Sequence, residues 1–188
     1  MDLVFLADGT EGAKMENFLR IIRLIKNVAK VLHVSEQGAH VGLVLYGDDS
    51  QIILNLNDRF SYTDLYKVIS KIYLLNKKKR YVGKGLKYVK DEVFTKYGRN
   101  GVPKVIILLQ NKKSEDSIGE ISQAIKKYGV KIFAVGNGDK MAKGQLKEIA
   151  SKPMSMYYKY SKSWDIDTAL FTEEMKDSVC MGKSLCAS

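Results

Sequence analysis

Cysteine is nearly missing from this 188-residue chain: the two present, Cys180 and Cys186, both fall in the last nine residues. The core is therefore not stapled, and no Cys/His spacing suggests zinc. The two cysteines can pair with each other, pair with chain outside this segment or stay reduced, so they leave the redox compartment open. Only two prolines interrupt the chain, which leaves room for long elements. No run of about 18 apolar residues occurs, so no membrane insertion is expected. An Asn-x-Ser/Thr sequon is absent. So is the Gly-x-x-x-x-Gly-Lys-Ser/Thr phosphate loop, and Gly83-Lys84-Gly85 is too short for a dinucleotide fingerprint. The two histidines, His33 and His40, have no Ser or Cys near them in a nucleophile setting. Acids are in deficit: 21 Asp and Glu face 31 Lys and Arg, a net charge of +10 that favours anionic partners or a Lys-rich solvated surface.

What is present begins at once. Leu3-Val4-Phe5-Leu6-Ala7 is an apolar run that ends at a lone acid, Asp8, and breaks into Gly9-Thr10-Glu11-Gly12. This pattern predicts a buried strand that delivers Asp8 to the carboxyl edge of a sheet, where open α/β sheets bind ligands. Residues 12–32 then carry apolar side chains at helical spacing, with Lys14, Arg20, Arg23, Lys26 and Lys30 on the other side. Residues 39–46 and 51–54 predict a hairpin across Gly47-Asp48-Asp49-Ser50.

Ser61 to Asp64 can cap a helix reaching about Leu74, and Val82 to Phe94 reads as another. Val105 to Leu109 is a continuous apolar run of the kind buried on both faces. Ser114-Glu115-Asp116 is expected to cap the next helix. Val130 to Val135 is a strand, Met141 to Ile149 a helix, Tyr157 to Tyr160 an edge strand, and Asp165-Ile166-Asp167 opens a last helix. The order β-α-β-β-α-α-β-α-β-α-β-α predicts an α/β fold. Its sheet is doubly wound, six-stranded and mostly parallel, with one antiparallel edge strand and helices on both faces. Residues 1–179 are expected to form one domain, and residues 180–188 a tail holding the cysteines.

Asp8-Gly9-Thr10 is like the strand end of haloacid-dehalogenase-type phosphatases, but their nucleophilic Asp falls on Leu6 here, so the covalent chemistry is missing. The ordered set is more informative. Phe5-Leu6-Ala7-Asp8-Gly9-Thr10, Val41 to Asp48, Val105 to Asn111 and Ile132 to Gly138 together resemble a von Willebrand factor type A domain over residues 2 to about 179. The resemblance implies a site where a divalent cation is held by Asp-x-Ser-x-Ser, a Thr from a second loop and a later Asp, the metal-ion-dependent adhesion site (MIDAS). Carried over, Asp8 and Thr10 keep oxygen ligands, Gly12 has none, the Thr falls on Arg80 and the last Asp on Asn111. A hard cation needs near-octahedral oxygen donors, so no metal and no cofactor is expected. Arg80 either pairs with Asp8 in the cation's place or points to solvent while Asp8 bonds backbone amides.

Lys77, Lys78, Lys79, Arg80, Lys84, Lys112 and Lys113 are expected around this site, with Lys87 and Lys90 extending the strip. They form either a patch for sulfate or carboxylate groups or a solvated face. RNA-recognition motifs are missing, and no nucleic acid partner is expected. The Asp-Gly-Thr-Glu-Gly variant is similar to degenerate sites in the A domains of collagen VI-type chains, with matrilins and cochlin-like proteins as neighbours. That resemblance implies a secreted, non-enzymatic module of the extracellular matrix. Its expected partners are other matrix proteins or collagen chains, and heparin-like glycosaminoglycans through the basic face. The alternatives are a metal-dependent adhesin or receptor domain, which the ligand set opposes, and an intracellular scaffold, which a disulfide at Cys180 or Cys186 would exclude.

Overall fold

The protein, analysed as a computed structural model, is described at residues 1–58, 61–75, 77–137, 142–161, 164 and 166–180, less the side chains of Thr168, Val179 and Cys180. Whether Cys180 and Cys186 pair with each other, pair elsewhere or stay reduced rests on a side chain and a residue outside that description. One six-stranded sheet runs β3-β2-β1-β4-β5-β6. Its strands are β1 Asp2–Asp8, β2 His40–Tyr46, β3 Ser50–Leu54, β4 Lys104–Gln110, β5 Lys131–Asn137 and β6 Tyr158–Ser161. All neighbours pair in parallel except β3, which runs antiparallel to β2 at one edge. Every residue of β1 is buried. Helices cover both faces of its strand, which is why its sequence is continuously apolar rather than alternating.

After β1 a short 3-10 turn, Glu11–Ala13, leads into α1, Met15–Val31, which buries Phe18, Ile21, Ile25 and Val28 at helical spacing. Helix α2 spans Tyr62–Ile69. The Ser61 hydroxyl oxygen accepts from the Asp64 N–H (3.2 Å), as the capping pattern predicts. It ends before Leu74 because the chain then crosses to β1, where the Leu75 N–H donates to Gly9 O at 2.9 Å. Helix α3, Val82–Tyr88, continues through a π-helical stretch, Val89–Phe94, into α4, Thr95–Tyr97. The remaining helices are α5 Gly119–Lys127, α6 Ala142–Ile149, the single turn α7 Met154–Tyr157 and α8 Thr168–Cys180. The Asp167 carboxylate accepts from the Ala169 and Leu170 N–H groups, both at 3.1 Å, and so caps α8. Phe133 of β5 anchors the α7 and α8 side, with its ring 4.7 Å from Tyr157 and edge-on to Phe171 at 5.8 Å.

One expectation needs correction. Ser114 and Asp116 do not cap α5, which starts only at Gly119. They cap α3 across a loop: the Val82 N–H donates to Ser114 Oγ (2.9 Å), and those of Gly83 and Lys84 donate to the Asp116 carboxylate (3.0 and 2.8 Å). The residue before α3 is Tyr81, whose side chain makes no cap, so the orphan amides take an acid from elsewhere.

The amino end of β1 carries a second feature. Asp2 is fully buried, and Arg99 wraps it. The Arg99 N–H and Nε donate to the two carboxylate oxygens at 2.6 and 2.7 Å, while Nη2 reaches Met1 O (3.0 Å) and Gly38 O (2.9 Å). A buried acid stripped of its partner is left uncompensated. Arg99→Ala is therefore expected to lower unfolding free energy by about 3 kcal/mol in urea titration, with Asp2→Asn/Arg99→Ala losing less than the sum of the single variants.

Candidate functional site

Asp8 ends β1 at the carboxyl edge with no solvent exposure. Its Oδ1 accepts from the Thr10 backbone N–H (2.9 Å) and the Thr10 hydroxyl (2.7 Å), a local turn that the Gly9 break makes room for. Its Oδ2 makes no hydrogen bond of that kind and faces Arg80 Nε at 3.5 Å, an ion pair rather than a hydrogen bond. Both expected arrangements are thus present in part: Asp8 is tied to a backbone amide, and Arg80 lies over it instead of pointing to solvent, with its side chain only 15% exposed.

Arg80 is held by its own backbone. Its N–H donates to Glu115 Oε1 (3.1 Å), and its carbonyl accepts from the Glu115 N–H (2.8 Å). The Ser114 hydroxyl lies within reach of the Arg80 carbonyl (3.1 Å) and of Asp116 Oδ1 (2.5 Å). Just before it, the N–H groups of Lys78 and Lys79 donate to the Asp48 carboxylate (3.4 and 2.6 Å). The Glu11 N–H donates to Lys77 O (3.0 Å). Two acidic loops therefore fix the segment that carries Arg80.

Gly12 explains how the guanidinium fits. A Cβ built there would overlap Arg80 Nη2, so the arginine occupies the space a serine would need. Asn111, 5% exposed, donates from Nδ2 to Ala13 O (3.2 Å) and ties β4 to the start of α1. The structure thus brings Asp8, Thr10, Gly12, Arg80 and Asn111 together. They do not fit a divalent cation. The Thr10 hydroxyl donates to Asp8, Gly12 offers no oxygen, and Arg80 puts a positive charge beside the only carboxylate of the set. Asn111, whose Nδ2 is engaged with Ala13 and whose Oδ1 makes no hydrogen bond, offers a neutral amide oxygen in place of a carboxylate. Among the described residues no cluster of three or more His, Cys, Asp or Glu could hold a metal.

Burial raises the Asp8 carboxyl above its usual range, and the Thr10 bonds, Arg80 and Lys112 oppose that shift. Tyr46, fully buried at the end of β2, is pushed well above the ordinary phenol range by burial and then by the Asp8 charge. Tyr46, Glu115, Asp48 and the Ser114–Asp116 pair were not singled out from sequence as parts of this site. The one available signal was that an Arg directed at a buried Asp needs something to hold its backbone.

Among the seven basic residues, Lys77 meets Asp49 at 2.5 Å, Lys79 meets Glu115 at 3.1 Å, and Arg80 meets Asp8 and, at 3.8 Å, Glu115. Lys84 rests 4.2 Å from the Tyr81 ring centroid. Lys78, Lys112 and Lys113 are exposed. The edge is basic, but nearby carboxylates offset much of its charge.

Comparisons with known proteins agree with this fold. Residues 2–173 match the family model of the von Willebrand factor type A domain. Chicken matrilin-1 is 31% identical over 188 residues, covering 99% of this chain and 38% of that protein. The human collagen alpha-1(XXI) chain is 29% identical over 185 residues, covering 98% of this chain and 19% of that protein. This chain therefore spans well under half the length of these relatives. A structure of proximal thread matrix protein 1 from the mussel byssus, with a zinc-occupied MIDAS motif, has a TM-score of 0.80 at 24% identity, covering 95% of this chain and 45% of that one. At that identity the likeness speaks for the fold alone.

Two outcomes test the site. Gly12→Ser is expected to destabilise by about 1–3 kcal/mol through overpacking against Arg80, and Gly12→Ser/Arg80→Thr to recover part of that in urea titration. Additive losses would show that the two positions do not touch. The second concerns Asp8. A folded pKa above the unfolded one means its contribution is present below about pH 4 and is lost as pH rises through the folded value. Arg80→Ala removes an opposing charge, so carboxyl NMR should find Asp8 titrating higher than in the wild type.

Proposed function

The chain belongs to the von Willebrand factor type A domain family, and on that premise we propose that it is a non-enzymatic interaction and assembly module of the extracellular matrix that works without a metal ion. The observation that carries this reading is the Arg80 guanidinium lying over Asp8 in the space left by Gly12. It supplies internally the positive charge that a bound cation would bring, so the loops are held whether or not a metal is in solution. The matrilin and collagen relatives support placement in the matrix outside the cell and partners among matrix proteins or collagen chains. Among the described residues no helix is long and apolar enough to cross a membrane.

The chemistry of the edge supports a binding role. The Ser114 hydroxyl is engaged with Arg80 O and Asp116. His33 and His40 lie at the opposite edge, where His40 is level with Asp2. Neither histidine therefore stands beside the Ser114 hydroxyl, and the Asp116 carboxylate next to it is engaged by the Gly83 and Lys84 N–H groups as the cap of α3.

Calorimetric titration with Mg²⁺ or Mn²⁺ is expected to show no micromolar binding. Gly12→Ser/Arg80→Thr/Asn111→Asp, which restores the oxygen donors, should gain it. On plates coated with fibrillar collagen, binding should be equal in Mg²⁺ and in EDTA. Loss in EDTA would overturn the metal-free reading, and no binding in either would count against fibrillar collagen as a partner.

A further inference from the structure

Much of the positive charge at the carboxyl edge is met by carboxylates, but along the β6 side of the sheet the lysines have a different kind of neighbour. Elements α5, β5, α6, the segment that follows it and β6 carry Lys126, Lys127, Lys131, Lys143, Lys147, Lys152 and Lys159, while their carboxylates are Glu120 and Glu148. Lys159 is taken up by Glu174 of α8 at 2.6 Å. Four of the others, Lys126, Lys131, Lys143 and Lys147, rest on rings or carbonyls. Lys143 Nζ lies 4.2 Å from the Tyr160 ring centroid, Lys147 Nζ 5.6 Å from that of Tyr158, and Lys131 Nζ 5.9 Å from that of Tyr157. A tyrosine face holds an ammonium in position without cancelling its charge, as a carboxylate would.

The spacing makes a row. Lys143 and Lys147 are one helical turn apart on α6, about 6 Å. Tyr158 and Tyr160 are two residues apart on β6 and share one face, about 7 Å. Helix and strand repeats therefore keep step, so each lysine lands on its own ring. At the carboxyl end of α6, Lys126 continues the row: its Nζ donates to Glu148 O (3.0 Å) and Ala150 O (3.4 Å). Burial and the Lys152 charge lower its pKa, whereas Glu148 acts against them. The Glu148 carboxylate is turned onto Gly119 at the start of α5.

We propose that this row is the binding surface for a linear sulfated polysaccharide, centred on Lys143 and Lys147 and extended by Lys126 and Lys152. Lysine ammoniums are compact point charges that suit sulfate groups without requiring a bidentate geometry. Repeated charges along a rigid helix–strand edge match a chain with sulfates at regular intervals better than a single compact anion. The proposal does not rest on the metal-free reading of Asp8, and the test below runs in EDTA so that the two can fail separately.

The test is heparin affinity of the whole chain with two charge-matched variants, Lys143→Glu/Lys147→Glu and Lys78→Glu/Lys113→Glu. The first is expected to elute at clearly lower salt and to bind heparin about tenfold more weakly at about 0.15 M salt, with its circular dichroism unchanged. The second should stay close to the wild type. Tyr158→Phe/Tyr160→Phe, which keeps the rings, should also retain binding. Unchanged heparin affinity in the Lys143/Lys147 variant, or an equal or larger loss in the Lys78/Lys113 variant, overturns the proposal. So does a Lys143/Lys147 variant that loses retention on duplex DNA while keeping it on heparin.

Discussion

Central strand β1 carries a buried carboxylate at each end, and each is held by an arginine from a distant loop. Asp2 is gripped by Arg99 at the amino edge and Asp8 is faced by Arg80 at the carboxyl edge. A carboxylate with no exposure is tolerated only when charge or hydrogen bonds offset its lost hydration. The strand between them is wholly buried, so loops at both edges are obliged to return to it. The amino edge is closed by Arg99 bonding to Met1 and Gly38 carbonyls, and the carboxyl edge by Glu115 and Asp48 bonding to the Arg80 segment.

At the carboxyl edge the family's usual answer is a divalent cation, whereas this chain brings its own cation on a side chain. The exchange involves more than one position. An arginine at 80 needs the room that only glycine leaves at 12, and its backbone needs the Glu115 and Ser114 contacts to aim it. On the proposed metal-free reading, a guanidinium cannot dissociate into solvent, so the loops would hold at any ion concentration. On the same reading they would also lack the open coordination position that a bound metal offers. The proposed binding then falls to surfaces rather than to the edge itself, and the lysine–tyrosine row beside β6 is the candidate, its ammoniums resting on rings.

Most of the fold was legible in residue order. Continuous apolar runs marked the buried strands, helical spacing marked α1, and the turn residues after Tyr46 marked the hairpin to β3. The site residues were legible as a list because each sits at a strand end or a loop that the element order already sends to one edge. The trans capping of α3 was not, because Ser114 and Asp116 stand before their own helix in sequence and look like its cap. Nor was the charge balance. Lysine runs show where cations are but not whether a carboxylate or a ring waits beside them.

Residue order alone determined the secondary elements, the parallel sheet and the position of Asp8, since periodicity and turn chemistry act over a few residues at a time. Tertiary structure decided that Arg80 lies over Asp8 rather than in solvent, that Gly12 makes the space, and that Lys143 and Lys147 meet Tyr160 and Tyr158. Those outcomes depend on distances between segments far apart in the chain. Only the packed sheet brings them within the few ångströms over which charge, sterics and ring faces act.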